Sequence, residues 1–361
     1  MHIVLATGIY PPDIGGPATY SAHLAEELAK RGNKVTVITY GKERGVEKLA
    51  GDAQVVRVGL DGGTFLRWKR FSSALKKYAT DADIVYAFSS VSCGMPLSLT
   101  RLSHPRKILR LGGDFLWERY TDRGGELGLK EWYEQGPWFQ GAMNGLLRIF
   151  DHIVFSTQFQ EQLYEKFYRL PIHSVVENAL PSGTPVVHQV HTPFRLLFLG
   201  RLVAFKNLQS LIAAVHVLPD VTLTIVGSGP CEAALRAQVS DLHLGDRVMF
   251  KDPVKGEEKE LVYREHDLLV LPSKTEISPN AALEARSVGL PVLLTEQTGL
   301  SRSFVDGALL RVLRTPQEIV AGIEEAMELY PQLSGRAANA APERGWAEVC
   351  EDHLLLFRSL L

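Results

Sequence analysis

Cysteine is scarce in this chain. Its 361 residues include three, Cys93, Cys231 and Cys350, far apart and with no CxxC spacing. That excludes a disulfide framework or a zinc site of the usual spacing and suits a reducing compartment. Charge of one sign is also missing: 39 Lys and Arg stand against 41 Asp and Glu, a net charge of −2. A protein that grips nucleic acid through its phosphates is usually clearly basic, so no nucleic-acid partner is expected. No stretch of about 18 apolar residues occurs, so nothing is expected to span a membrane. The opening MHIVLATGIYPP has no basic segment ahead of an apolar one and does not read as a secretion signal. A cytoplasmic protein is expected, with peripheral membrane contact left open.

What is present is an ordinary globular composition, 45% hydrophobic and 22% charged, which excludes disorder as the main state. At about 150 residues per domain, two domains are the default. His2 to Ala6 is a short apolar run, the pattern of a buried strand. GIYPPDIGGP follows as a loop, Pro17 suits the first position of a helix, and Gly32 suits its end. KVTVITY (34–40), QVVRV (54–58), DIVYAF (83–88), KILRL (107–111) and HIVFS (152–156) read as further strands, with a helix near 65–79. The segment 180–193, LPSGTPVVHQVHTP, has three prolines and no Asp, Glu, Lys or Arg, the composition of a linker or hinge. Strand and helix then alternate again from RLLFLG (195–200) to a helix over 315–329. Such alternation means parallel sheets covered on both faces. The expected fold is α/β, two doubly wound Rossmann-like domains with an inter-domain cleft. The expected boundaries are 1–180, a linker at 181–194, 195–340, and a C-terminal helix at 341–361 that packs back on the first domain.

Four constellations could carry chemistry. The first is Glu276 and Glu284 in EISPNAALE. Eight positions in one helix would leave the two acids about 80° apart in rotation. The spacing makes better sense if the helix starts between them, with Ser278 as N-cap and Pro279 at its first position. The amides of Asn280, Ala281 and Ala282 would then be open donors at a helix start, a place that binds phosphate. A ligand carrying both phosphate and hydroxyls, such as a sugar nucleotide, would satisfy these groups. Two solvated surface acids are the plain alternative. The second constellation is GRLVAFKN, where Gly200, Arg201 and Lys206 lie in a loop after a strand. Two cations beyond the carboxyl end of a strand suit a diphosphate, or are simply a solvated loop. The third is GSGP, with Gly227 and Gly229. It lacks the third glycine of a dinucleotide fingerprint but allows a tight turn and close backbone approach. The fourth is Gly15-Gly16 before the first helix, which either admits a phosphate or sugar or makes a plain turn.

Taken together and in this order, these motifs resemble the retaining GT-B glycosyltransferases of family four. SVGLPVLLT (287–295), Asp306-Gly307 and the final WAEVCEDHLLLF are similar too. The resemblance implies that the second domain holds a nucleotide sugar. Arg201 and Lys206 would bind its diphosphate together with the helix start at Ser278 to Ala282. Glu284 would take the ribose hydroxyls, and Glu276 would contact the donor sugar near the reacting carbon. The first domain would bind the acceptor. Cations and amides would stabilise the leaving diphosphate, so no metal and no cofactor is expected, the nucleotide sugar being a substrate.

Two departures stand out. Many family members carry a histidine after the strand at 107–111, where this chain reads LRLGGDFLWERY. Asp114 either takes the polar role there, as base or sugar contact, or caps a turn. The usual Asn-Gly after the first domain is Asn178-Ala179 here. Asp81-Ala-Asp83 has the DxD form of a metal motif but runs straight into an apolar strand, so a metal role is not favoured.

FLRWKRFSSALKKYA (65–79) has five cations, no acid and four aromatics. It reads either as a solvated helix with an aromatic core face or as a basic amphipathic helix for anionic lipid at the inner face of the membrane. Trp132, Trp138 and Phe139 are either core residues or a platform for the acceptor, which would be a glycan, a lipid-linked glycan or a small molecule. The alternatives to a transferase are a catalytically silent nucleotide-sugar-binding subunit and a sugar-nucleotide epimerase.

Overall fold

A computed structural model describes residues 1–13, 15–136, 139–179, 183–301, 305–339 and 344–361. Its contacts divide the chain into two compact units. Unit one comprises Met1–Phe115, Gln135–Ala179 and Arg344–Leu361; unit two comprises Leu116–Glu134 and Leu180–Glu343. Residues 116–134, read from sequence as part of the first domain, therefore belong to the second.

In chain order the first elements are β1 (His2–Ala6), α1 (Gly16–Lys30), β2 (Lys34–Gly41), β3 (Gly45–Lys48), β4 (Ala53–Gly59), α2 (Thr64–Ala79), β5 (Ile84–Ala87), α3 (Met95–Ser98) and β6 (Arg106–Leu111). Then come α4 (Phe115–Asp122), α5 (Leu129–Glu134), α6 (Gln140–Leu147), β7 (His152–Phe155), α7 (Gln158–Phe167) and β8 (His173–Val175). The sheet of unit one has the order β3-β4-β2-β1-β5-β6-β7-β8 and is parallel except for β3, which runs antiparallel to β4. Ile3, Val4, Leu5 and Ala6 are wholly buried, as the centre of a sheet covered on both faces requires. On α1, Tyr20, Leu24 and Leu28 recur every four residues and form its buried face. Each such leucine contributes about 2 kcal/mol of burial.

Unit two contributes β9 (Phe194–Leu199), α8 (Leu208–Val217), β10 (Val221–Val226), α9 (Glu232–Asp241), β11 (Val248–Lys251), α10 (Gly256–Arg264) and β12 (Leu268–Leu271). It continues with α11 (Asn280–Ser287), β13 (Val292–Thr295), β14 (Ala308–Arg311), α12 (Pro316–Glu328) and α13 (Tyr330–Ala338); α14 (Trp346–Leu360) is back in unit one. The sheet is parallel throughout, in the order β11-β10-β9-β12-β13-β14. Numbered within the unit, that is 3-2-1-4-5-6, the doubly wound order whose direction reverses between the first and fourth strands.

The proline-rich stretch that suggested a hinge is docked where it is described. Val186 N donates to Val288 O at 3.1 Å, and His188, 7% exposed, reaches the carbonyls of His266 and Val288 at 3.2 Å each. His191 Nδ1 lies 2.8 Å from Asp267, which is fully buried and also accepts from Arg195 N. Residues 180–182 lie outside the described part.

α14 packs on α1 through Val349, Cys350, Leu354 and Phe357, with Trp346 edge-on to Tyr20 at 5.0 Å. His353 is fully buried in this interface. Its Nδ1 donates to Val349 O at 2.7 Å, and its Nε2 accepts from Tyr86 Oη at 2.9 Å. Burial, with Arg110 nearby, pushes its pKa down to about 3. As pH falls below about 6.5, the unfolded chain takes up this proton before the folded one does. The stability it carries is therefore complete above pH 6.5 and drains away toward pH 3, at up to about 1.4 kcal/mol per pH unit. Urea unfolding at pH 7 and pH 4.5 should show a shallower acid slope for His353→Gln than for the parent; identical slopes would exclude this origin.

Candidate active site

Two side chains predicted far apart in the chain meet at the switch point of unit two. β9 ends at Leu199, and the loop beyond it forms a 3₁₀ turn, Ala204–Lys206. Lys206 Nζ donates to Glu276 Oε1 at 2.6 Å, and Ser273 Oγ donates to the same oxygen at 2.5 Å. Lys206 follows strand one of the sheet and Glu276 follows strand four, so the ion pair spans the position where ligands of doubly wound sheets bind. Glu276 is 5% exposed. Its backbone is stapled to the loop after β13: Glu276 N donates to Gln297 O at 2.9 Å, and Gly299 N to Glu276 O at 2.8 Å. Arg201, on the Lys206 loop, is exposed, and its guanidinium has no partner among the described residues.

Residues 116–134 brace these loops. The Trp117 ring lies 5.1 Å from that of Phe205, the neighbour of Lys206. Leu129 N donates to Thr275 Oγ1 at 2.9 Å, and Lys274 Nζ binds Gly125 O at 2.8 Å and Glu126 at 2.7 Å. Glu131 accepts from Gln297 at 2.7 Å and from Arg314 at 2.6 Å.

Gly227 and Gly229 do allow a close backbone approach, but the neighbour is the Arg201 loop. A Cβ on Gly227, whose φ is +144°, would lie 1.9 Å from Gly200 O. One on Gly229 would lie 2.4 Å from Leu202 O. The two loops are zipped together by Leu202 N to Ser228 O and Cys231 N to Leu202 O, both 3.0 Å. These glycines thus shape the segment that presents Arg201.

The helix between the two glutamates starts one residue later than the sequence suggests. Pro279, with ψ at +85°, is the N-cap of α11, and no side chain caps it, so Ser278 is not the cap. Asn280 N turns back to Ser278 O at 3.0 Å, and Ala282 N bonds Pro279 O at 3.0 Å. Of the three first-turn amides expected to be open, only that of Ala281 has no backbone acceptor among the described bonds. Glu284 lies on α11 and does not touch Glu276. Lys259 Nζ donates to its Oε1 at 2.6 Å and Tyr263 Oη to its Oε2 at 2.7 Å. Neither α10 partner was legible beforehand. EEKELVYREH reads as an ordinary amphipathic helix, and nothing in it points to a residue some 20 positions on.

Unit one places its candidates at the carboxyl ends of its own strands. Gly15 and Gly16 follow β1, beside the switch point between β1 and β5, with Gly15 as N-cap of α1. Gly15 has φ +157° and ψ +158°, a region essentially reserved for glycine. Asp114, 3% exposed, follows β6 and accepts from Tyr164 Oη at 2.8 Å. Asp83 is spoken for by the fold: it accepts from His2 N at 2.7 Å, and no metal-binding cluster occurs among the described residues. On α2, Phe71, Leu75 and Ala79 face the core while Phe65 is 74% exposed. Trp132 is buried, Phe139 is half-buried, and Trp138 lies outside the described residues.

Two doubly wound sheets in one chain, the first parallel but for its edge strand β3 and the second carrying cations and carboxylates at its switch point, define a protein of GT-B architecture. The chain belongs to the glycosyltransferases: residues 14–179 match the model of Glycosyltransferase Family 4, and residues 185–344 that of Glycosyl transferases group 1. The D-inositol 3-phosphate glycosyltransferase of Paenarthrobacter aurescens is 37% identical over 169 residues, covering 42% of this chain and 41% of that protein. The amylovoran biosynthesis glycosyltransferase AmsK of Erwinia amylovora is 35% identical over 121 residues, 31% of this chain and 30% of its own length. The matched stretch thus spans less than half of either relative. Among solved structures, sucrose-phosphate synthase from Thermosynechococcus elongatus superposes with a TM-score of 0.82 at 18% identity, covering 99% of this chain and 98% of that one. HepE of Anabaena in complex with UDP-glucose gives 0.74 at 15% identity, over 99% and 100%. At such identities the likeness is one of fold.

Proposed function

We propose that the protein transfers a sugar from a nucleotide-sugar donor to a hydroxyl of its acceptor, with retention of anomeric configuration and without a metal or other cofactor. The observation that carries this reading is the Lys206–Glu276 ion pair at the switch point, with Arg201 exposed on the same loop. As the bond to the donor sugar breaks, negative charge grows on the leaving diphosphate, and Lys206 and Arg201 stabilise it. Two cations on that loop supply the charge a metal would otherwise bring. Glu276, oriented by Lys206 and Ser273, contacts the sugar beside the reacting carbon. Glu284 takes the ribose hydroxyls, and Asp114 is the polar group that unit one offers, as base or sugar contact. The acceptor is a glycan, a lipid-linked glycan or a small hydroxyl compound. Family membership supports the transferase class, and the UDP-glucose bound to a protein of the same fold supports the donor class.

A titration with UDP-, GDP-, ADP- and dTDP-sugars, followed by thermal unfolding, tests the donor site. One donor should stabilise the protein by about 2.7 kcal/mol at a hundredfold excess over Kd. Glu284→Ala should lose most of that stabilisation. Release of free nucleoside diphosphate with acceptor present separates transfer from silent binding. A parent protein indifferent to the whole panel would overturn the reading.

The protein works in the cytoplasm, and we place α2 against the inner face of the membrane. Phe65 is exposed beside Lys69, and Lys76 and Lys77 are exposed on the same helix, an arrangement suited to anionic lipid. Vesicles rich in phosphatidylglycerol should co-sediment the protein at low salt, and Phe65→Ser should weaken this several-fold. Equal recovery with neutral vesicles would remove the anionic lipid from the account, and no recovery with either would remove the membrane.

A further inference from the structure

The carboxylate of Glu284 is held more firmly than a surface glutamate needs to be. Lys259 and Tyr263 lie four residues apart, on one face of α10. Each donates to a different oxygen of Glu284, at 2.6 and 2.7 Å. Tyr263 is 2% exposed, so its ring is fixed by the core of unit two and its hydroxyl cannot swing away. Burial, together with the carboxylate it faces, raises its pKa well above the ordinary value, so at neutral pH it remains a donor. The Glu284 side chain is 20% exposed, which leaves part of the carboxylate facing solvent.

A carboxylate has two oxygens and about four acceptor positions. Here one position on each oxygen is filled from α10, and one on each remains. Two acceptors a little over 2 Å apart, with their orientation fixed, suit two neighbouring hydroxyl donors, a vicinal diol. A single hydroxyl can use only one of them. An unrestrained glutamate would adapt to one hydroxyl almost as well as to two, because its side chain would be free to rotate toward it.

We propose that Lys259 and Tyr263 are positioning residues that set Glu284 as a two-pronged acceptor for the 2′,3′-diol of ribose, so that the protein selects ribonucleoside diphosphate donors and rejects 2′-deoxyribonucleotides. This rests on the donor-site reading above and adds two residues and a selectivity to it. A hydrogen bond to a charged group is lost with the 2′-hydroxyl, so the deoxy compound should bind about 10- to 100-fold more weakly. In Tyr263→Phe and Lys259→Met the carboxylate is loosened. Affinity for the ribonucleotide should fall only several-fold, while the ribo-to-deoxy ratio should collapse to about threefold or less. Lys259→Arg keeps a donor and should keep most of the ratio.

The test is calorimetric titration of the full chain with UDP, GDP and ADP and with their 2′-deoxy counterparts, in the parent, Tyr263→Phe, Lys259→Met, Lys259→Arg and Glu284→Ala. A loss of fold would weaken both ligands together and leave their ratio unchanged, so the ratio reports positioning alone. The expected result is a high ratio in the parent and Lys259→Arg and a low one in the other three. If Glu284→Ala abolishes the ratio but Tyr263→Phe and Lys259→Met keep it, the positioning role is wrong and the donor site stands. If no nucleoside diphosphate binds the parent, the donor site itself is wrong and this proposal goes with it.

Discussion

Lys206→Ala is expected to lower sugar transfer by about 100- to 1,000-fold, the usual loss when a group that stabilises transition-state charge is removed. Stability should fall as well. The variant leaves Glu276, 5% exposed, with Ser273 as its remaining side-chain partner. Breaking a buried ion pair on one side costs about 3–5 kcal/mol; Lys206 is 16% exposed, so a figure of about 2–3 kcal/mol is expected here. The two effects separate in a double variant. Adding Glu276→Gln to Lys206→Ala removes the orphaned charge and should restore most of the stability while transfer stays low. Urea unfolding and steady-state turnover on the three proteins decide it. Recovery of turnover along with stability would mean that Lys206 supports the fold and takes no part in the chemistry.

Gly227→Ala is expected to be as damaging without touching a charge. The added Cβ falls 1.9 Å from Gly200 O, a backbone atom with little room to retreat, at a φ of +144° that side chains rarely adopt. A combination of overpacking and backbone strain of this kind costs about 3 kcal/mol or more. For a unit of this size that is roughly 6–12 °C in Tm. The loop that must shift carries Arg201, so donor affinity should fall with it. Gly245→Ala is the control: nothing lies within 4 Å of the new Cβ, and the melting temperature should hold. A Gly227→Ala protein that melts like the parent would show that the two loops are free to part.

Both predictions turn on features that were unequally visible in the sequence. The strands at the sheet centres were readable because burial on both faces forces a continuous apolar run, as in IVLA of β1 and LLVL of β12. β3 went unread because its four residues, GVEK, are all exposed and carry no pattern. β8 has three half-buried residues, again too little signal. α13 begins at Tyr330-Pro331, where the proline reads as the end of α12 and in fact occupies the first turn of a new helix. In the site, Arg201, Lys206 and Glu276 were singled out by residue type and position after strands, and Glu284 by its spacing from Glu276 within the helix that follows. Their pairing was not. Lys206 finds Glu276 seventy positions away, and only the strand order brings the two loops side by side. Ser278 looked like a cap by composition, but backbone turns at Pro279 satisfied the helix start first.

The way the chain is shared between the units bears on how it can be rebuilt. It crosses from one to the other at 115/116, 134/135, 179/180 and 343/344. A single cut near residue 180 therefore yields no self-sufficient fragment. The front piece would lack Val349, Cys350, Leu354 and Phe357, which belong to its core, and would carry Trp117 and Leu129, nearly fully buried in the intact chain, stripped of their cover. Grafting a new first unit onto this second unit thus becomes a three-part splice of 1–115, 135–179 and 344–361, with 116–134 kept from the recipient. A chimera joined at one point near residue 180 would separate Trp117 and Leu129 from the loops that cover them in this chain.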